Sequence, residues 1–391
     1  MAAAPGTPPR RTPERSSKAI PLSSPDAPTA QALAAATTPS PAHVPLAVVL
    51  RGAMVDAVHV GSVAVVDRAG RVLYAAGNPW AAVPTRSALK PFQAMPLVAA
   101  GGLERFGFTT AETALLCASH TGEDRHVAAA AALLAKAGNG VDDLGCGSHV
   151  PYRFDAAGLP PPPPPYSPLA HNCSGKHAGM LAWCVHCGAP KAGYLDFDHP
   201  LQRAIRRSVA HFTGVAEEGL PWGIDGCSAP NYAVPLAALA RAFARLAGDD
   251  DDPVYGAAPA RLRAAMTAHP EMVSGEGRSD LALMRAGQGD WVAKIGAEGV
   301  QAIGIASLGW GIAVKVADGA ARGLLPATVA VLDAIGLLDD ARRTALAPWR
   351  EPLVRNTRGI VTGAVRPVLV LDRPTAPGAE VRGATAEWGR P

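Results

Sequence analysis

The chain has 391 residues, 48% of them hydrophobic and 18% charged, enough apolar material for at least one sizeable core and too much for a chain that stays unfolded throughout. Its 36 basic and 33 acidic residues leave a formal charge of +3, spread without blocks of like charge, so an extended nucleic-acid footprint is not expected. The longest uncharged apolar run of the folded region, residues 300–314, is short and interrupted by glycines, and no membrane span is expected.

Residues 1–45 hold ten prolines and no aromatic side chain, so they cannot offset the entropy of ordering and read as a disordered leader. Arg10 and Arg11 are followed by proline, serine and charge, with no apolar segment of the kind an export signal needs. Six cysteines in so long a chain suggest no disulfide framework, which fits a reducing compartment, and the expected location is cytoplasmic. The globular part is expected to start near Leu46.

Residues 58–67 and 71–76, apolar and β-branched around a turn containing Gly70, predict a β-hairpin. Helices follow over 86–100, closed by Gly101 and Gly102, and over 123–137, capped by Thr121 and closed by Gly138. The six prolines 160–165 form a stiff polyproline II connector on the surface. A third helix is predicted over 231–247, with Ser228 before it and Gly248 after. Residues 290–297, 299–307 and 311–317 predict an antiparallel meander. Residues 367–391 read as a short strand, 368–371, and a loose tail. A hairpin and a distant meander, each needing a covered face, combine most simply as one antiparallel sheet of about five strands beside a helical region, an α+β fold.

Four constellations carry chemistry. Ser87-Ala-Leu-Lys90 opens a predicted helix, and i, i+3 spacing puts the serine and the lysine on one face. There a desolvated lysine can act as base for the serine. With 16 serines and 7 lysines, about 0.3 such pairs arise by chance, so the motif alone does not exclude a surface lysine. A chain with 29 arginines and 7 lysines prefers Arg where any cation serves, and only Lys can lose its proton. Lys294 stands inside an apolar strand two residues before Gly296; it is either an edge lysine that blunts aggregation or a cation aimed at a ligand that the glycine lets approach. Ser119 and His120 lie in the polar loop Cys117-Ala-Ser-His-Thr-Gly-Glu123, where capping and catalysis both remain open.

The fourth, His171-Asn-Cys-Ser-Gly-Lys-His177, is no phosphate loop, because Lys176 is followed by histidine where Ser or Thr is needed. If a helix starts near Ser174, Cys173 and Lys176 sit one turn apart and can share a small ligand, with Cys227 of Asp225-Gly-Cys-Ser228 as a third donor. Two thiolates suit zinc, and a neutral lysine amine can complete the set. Cys184 and Cys187 lie too far along the same helix to join them and read as small apolar residues.

Taken in order, RSALKPFQ, CASHTGE, HNCSGKHAGM, DGCSAPNY and KIGAEG resemble the asparaginase II family of the Rhizobium etli type over about residues 46–366. The resemblance implies a serine β-lactamase-like and glutaminase-like fold, with S-x-x-K at Ser87 and K-x-G at Lys294 as the shared signature. It implies hydrolysis of L-asparagine to L-aspartate and ammonia, with Ser87 as nucleophile, Lys90 as its base, and Ser119 paired with Lys294. It also implies zinc on Cys173, Lys176 and Cys227, substrate or group orientation by Arg86, His120 and Asp225, and a homodimer. A glutaminase or a β-lactam-interacting hydrolase shares both serine–lysine elements but leaves the cysteines unexplained. A zinc-stabilised, non-enzymatic binding protein needs the metal and not the serines.

Overall fold

The computed structural model describes residues 43–373; nearly all of the expected leader, and the tail beyond residue 373, lie outside them. Eleven strands occur among the described residues: β1 (Val44–Arg51), β2 (Met54–Asp67), β3 (Val72–Ala76), β4 (Ala82–Pro84), β5 (Trp222–Ile224), β6 (Pro230–Pro235), β7 (Trp291–Gly296), β8 (Val300–Ile305), β9 (Trp310–Val316), β10 (Leu353–Arg355) and β11 (Val361–Pro367). The helices that shape the site are α1 (Lys90–Ala99), α2 (Thr110–Leu116), α3 (Asp124–Lys136), α4 (Ser174–Cys187), α5 (Leu236–Gly248) and α6 (Ser279–Gly287). No helix among the described residues is long and apolar enough to cross a membrane.

The expected α+β class holds, with a larger sheet than five strands. Eight strands run β10-β11-β1-β2-β9-β8-β7, with β3 also on β2, and every pairing is antiparallel. The hairpin (β2, β3) and the meander (β7, β8, β9) meet where Gly61–Asp67 pairs with Val316–Trp310. The additional strands β1, β10 and β11 extend the sheet beyond β2. Residues 368–371 are not a regular strand; β11 has ended at Pro367, although the Val368 N–H still donates to the Leu46 carbonyl.

The predicted helix over 231–247 begins instead as strand β6, and α5 starts only after Pro235. Proline supplies no N–H for the helix interior, so Pro235, with extended backbone, marks the boundary. Helix α5 then lies directly on the sheet. A Cβ at Gly311 would stand 1.8 Å from the Ala240 carbonyl oxygen and one at Gly304 2.3 Å from that of Phe243, so both strands need glycine for this close approach.

Helix α1 is buried along almost its entire length, Lys90 included, as expected of a helix surrounded by other elements. Phe92 packs between Phe212 and Phe243 with ring centroids 5.3 and 5.6 Å away. Helix α2 carries a capping box, with the Glu112 N–H donating to Thr109 Oγ1 and the Thr109 N–H to Glu112. At α3 the expected cap moves. Thr121 donates to the Glu123 carboxylate, and Glu123 is the residue that precedes the first turn.

Candidate active site

Ser87 lies in a short 3-10 turn, Arg86–Leu89, that leads into α1. Arg86 has φ +48°, a left-handed conformation that costs a non-glycine residue energy and needs outside support. Asn231 of β6 supplies it at both ends of the residue: its Oδ1 accepts from the Arg86 N–H at 3.0 Å and its Nδ2 donates to the Arg86 carbonyl at 3.0 Å. The Arg86 guanidinium meets Asp225 at 2.8 Å. Burial pushes the Asp225 carboxyl up, but hydrogen bonds from Arg86 and the Gly226 N–H outweigh it and hold the group below the ordinary carboxylate range.

The last strand of the sheet brings the second lysine. Strand β7 packs against the Ser87 turn at Gly296, where a Cβ would stand 2.6 Å from the Thr85 carbonyl oxygen. Two residues earlier on the same face, Lys294 enters the molecule fully buried. Its amine donates to Ser119 Oγ at 2.9 Å and to the Ile295 carbonyl at 2.9 Å, and lies 3.4 Å from Asp280 Oδ2. The Lys90 amine also donates to Ser119 Oγ, at 2.9 Å, and to the Ala118 carbonyl. Thus both buried amines converge on Ser119, and Lys90, one helical turn from Ser87, is turned toward Ser119 in this geometry. Burial pulls the Lys294 pKa down, with the Lys90 and Arg278 cations acting in the same direction and Asp280 opposing, to about 8.

Ser87 and Ser119 border one cavity of about 420 Å³. Ser87 also borders a second compartment of about 430 Å³, with Arg86, Asp225, Cys173 and Cys227 on its walls. Tyr152, Asn172 and Ala297 line both compartments, so Ser87 stands at their junction. Arg278, on the wall of the first, has no ion pair among the described residues and lies 5.4 Å from the Tyr152 ring centroid.

Helix α4 starts at Ser174, which meets the condition for Cys173 and Lys176 to sit one turn apart, and both lie beside Cys227. Gly175 makes this packing possible, because a Cβ there would stand 2.4 Å from the Leu115 carbonyl oxygen of α2. The Lys176 amine donates to Cys227 Sγ at 2.8 Å. A hydrogen bond from Cys227 and the nearby Lys90 and Lys176 amines hold the Cys173 thiol well below its ordinary range against the effect of burial. Burial disfavours the Lys176 ammonium, yet the two sulfurs outweigh it and raise its pKa. Two soft sulfur donors and an amine in one buried cluster suit zinc in residue type, provided that the amine gives up its proton to the metal. No group of three or more His, Cys, Asp or Glu among the described residues is placed to hold a metal ion; the third polar group of this cluster is a lysine amine.

His120 sits apart from the cavity walls. The Gly122 N–H donates to its Nδ1 at 3.1 Å, so the ring proton is on Nε2, which donates to Ser174 Oγ at 2.9 Å. Ser174 in turn donates to the Leu169 carbonyl. Burial, then the neighbouring His126 and Lys90, keep the ring neutral. His120 therefore ties the Ser119 loop to the start of α4.

Asp280, Asn231 and Arg278 were not singled out from sequence. The first stands in the opening turn of α6 and looks like an ordinary cap, and the second lies in a stretch that reads as helix. Only Arg278 carries a visible signal, as a cation between glycines and a helix start.

Half-buried Ser87 beside a serine held by two buried amines has, in residue type, what nucleophilic hydrolysis needs. A sequence model of the family described as L-asparaginase II matches residues 47–367, and a match over that much of the chain makes the protein an amidohydrolase acting on a small molecule. The chain belongs to the L-asparaginase II family. No curated protein matches it significantly.

Proposed function

We propose that the protein hydrolyses L-asparagine to L-aspartate and ammonia through an acyl-enzyme on Ser87. The observation that carries this is the convergence of Lys90 and Lys294 on Ser119 Oγ, beside Ser87 and in one cavity. Ser87 Oγ attacks the side-chain carboxamide carbon while its proton passes to the amine of Lys90 and on through Ser119 to the neutral amine of Lys294, the second serine–lysine pair. Backbone N–H groups hold the oxyanion. The amine returns the proton to the leaving nitrogen, and the C–N bond breaks to release ammonia. Water then attacks the ester with the amine again as base, giving aspartate and free Ser87. Arg278, a cavity-wall cation without a carboxylate partner among the described residues, suits the substrate's α-carboxylate, while Arg86 and Asp225, already paired, orient the Ser87 turn and the substrate beside it.

Zinc on Cys173, Lys176 and Cys227 belongs to the same proposal. A bound ion supplies positive charge that positions the substrate at the second compartment; the proton transfers remain with the lysines. A homodimer and a cytoplasmic location are proposed with it, on the family resemblance and the cysteine usage.

One observation favours an alternative: because both amines point at Ser119, Ser119 can be the attacking group and Ser87 its support. Ammonia release from L-asparagine and L-glutamine, measured side by side for wild type, Ser87→Ala and Ser119→Ala, tests these assignments. The proposal expects asparagine as the better substrate and the deeper loss in Ser87→Ala. Retention of full activity in Ser87→Ala rejects it.

A further inference from the structure

Two buried lysines meeting at one oxygen pose an electrostatic problem. Lys90 is 1% exposed and Lys294 fully buried, so burial and the neighbouring Lys90 amine both oppose the cationic form of Lys294. Asp280 is the buried carboxylate that answers them. It is fully buried, on the first turn of α6, and its Oδ2 lies 3.4 Å from the Lys294 amine. Both of its oxygens are also held by other donors, with Oδ2 accepting from the Ile295 N–H at 3.0 Å and Oδ1 from Gln301 Nε2 at 3.1 Å. The carboxylate is thereby fastened to two neighbouring strands, β7 and β8, and has little freedom to turn away from the amine.

We propose that Asp280 is a positioning residue for the proposed reaction: it fixes the Lys294 amine on Ser119 and sets the pH at which Lys294 gives up its proton. This rests on the role proposed above for the serine–lysine pairs. The groups that face Lys294 are few. Lys90 comes from α1, Arg278 from the turn before α6, and Asp280 from α6 itself. Cys117, at the end of α2, is pushed up to about 12 by burial despite both lysines and stays a neutral thiol. Gln301 from β8 is uncharged. Asp280 is therefore the one anion facing the amine among the described residues, and its removal leaves Lys90 and Arg278 unopposed. The direction follows: without the carboxylate, Lys294 loses its proton at lower pH.

The test is a pH titration of the lysine Cε signals by NMR in protein labelled with 13C-lysine, where Lys294→Ala identifies the resonance among seven lysines. In Asp280→Asn the Lys294 midpoint should fall by about one unit or more, and the rising limb of asparagine hydrolysis should shift with it. Asp280→Glu, which keeps the charge, should bring both back toward wild type. In folded wild-type protein the Asp280 13Cγ signal should show an inflection at the Lys294 midpoint, a readout that needs no variant. An unmoved Lys294 midpoint in folded Asp280→Asn overturns the proposal, as does an Asp280 signal blind to that titration. A shifted Lys294 midpoint with an unshifted activity profile would instead strike at the role of Lys294 in the reaction.

Discussion

Lys90 and Lys294 donate to the same atom, Ser119 Oγ, each at 2.9 Å, although they arrive from a helix near the start of the fold and a strand near its end. The consequence is a pH dependence. Burial, Lys90 and Arg278 together bring Lys294 to about 8 despite Asp280, and the neutral amine is the form that can accept a proton. Below the midpoint Lys294 keeps its proton and kcat/KM falls as pH falls; above it the amine is free and activity levels off. A profile of asparagine hydrolysis that rises through about pH 8 is expected, and one that is flat from mildly acid to alkaline pH contradicts a lysine base.

Lys294→Ala removes one of the two amines on Ser119 and should lower kcat by roughly 10²–10⁴-fold. Lys294→Arg should be no better, because a guanidinium keeps positive charge but cannot lose its proton. Steady-state kinetics with L-asparagine on both variants separates the need for a base from the need for a cation: recovery of activity in Lys294→Arg points to charge alone.

Gly296→Ala places a Cβ 2.6 Å from the Thr85 carbonyl oxygen, so β7 must move away from the Ser87 turn. Overpacking of this kind costs about 1–3 kcal/mol, and Lys294 rides on the same strand face. A lowered Tm together with a lowered kcat is the expected outcome; unchanged activity means that the seat of β7 on the turn is not needed.

Asn231→Ala releases both hydrogen bonds that hold the Arg86 residue at φ +48°. The stability cost is about 1–3 kcal/mol, and displacement of Ser87 by even a fraction of an ångström should cost up to about 10²-fold in kcat. Metal content should stay as in wild type, since Cys173, Lys176 and Cys227 are untouched. Wild-type kcat in this variant shows that the clamp does not position Ser87.

Cys227→Ser removes the sulfur that accepts from Lys176 at 2.8 Å. Metal analysis of the purified protein should find zinc in wild type and little in this variant, with the fold retained because serine is close to cysteine in size and Cys227 is one small member of a large core. Unfolding of wild type by a chelator, with no ammonia released from L-asparagine by the folded wild-type protein, supports the non-enzymatic zinc protein instead.

Part of this architecture is legible in the sequence. The hairpin, the meander and the glycine-closed helices announce themselves through local chemistry, and Lys294 stands out as a charge in an apolar strand followed by Gly296. Strands β1 and β11 do not: Val361–Pro367 finds its partner β1 at the far end of the chain, and β1, which also pairs with β2 through the tight turn after Arg51, adjoins the proline-rich leader. Asn231 hides for a related reason: Pro235, four residues on, ends one element and starts the next, and the partner of Asn231 is Arg86, far away in sequence. The partner of His120, Ser174, is equally remote, so the sequence leaves capping and catalysis both open for this loop. Asp280 looks like a helix cap until β7 and β8 are placed over it. Local signals name the residue types; long-range packing decides which of them meet.

The most direct measurement is peptide mapping of enzyme quenched in acid while saturated with L-asparagine. The account predicts an aspartyl ester on the peptide containing Ser87; an ester on the Ser119 peptide, with Ser87 unmodified, contradicts it.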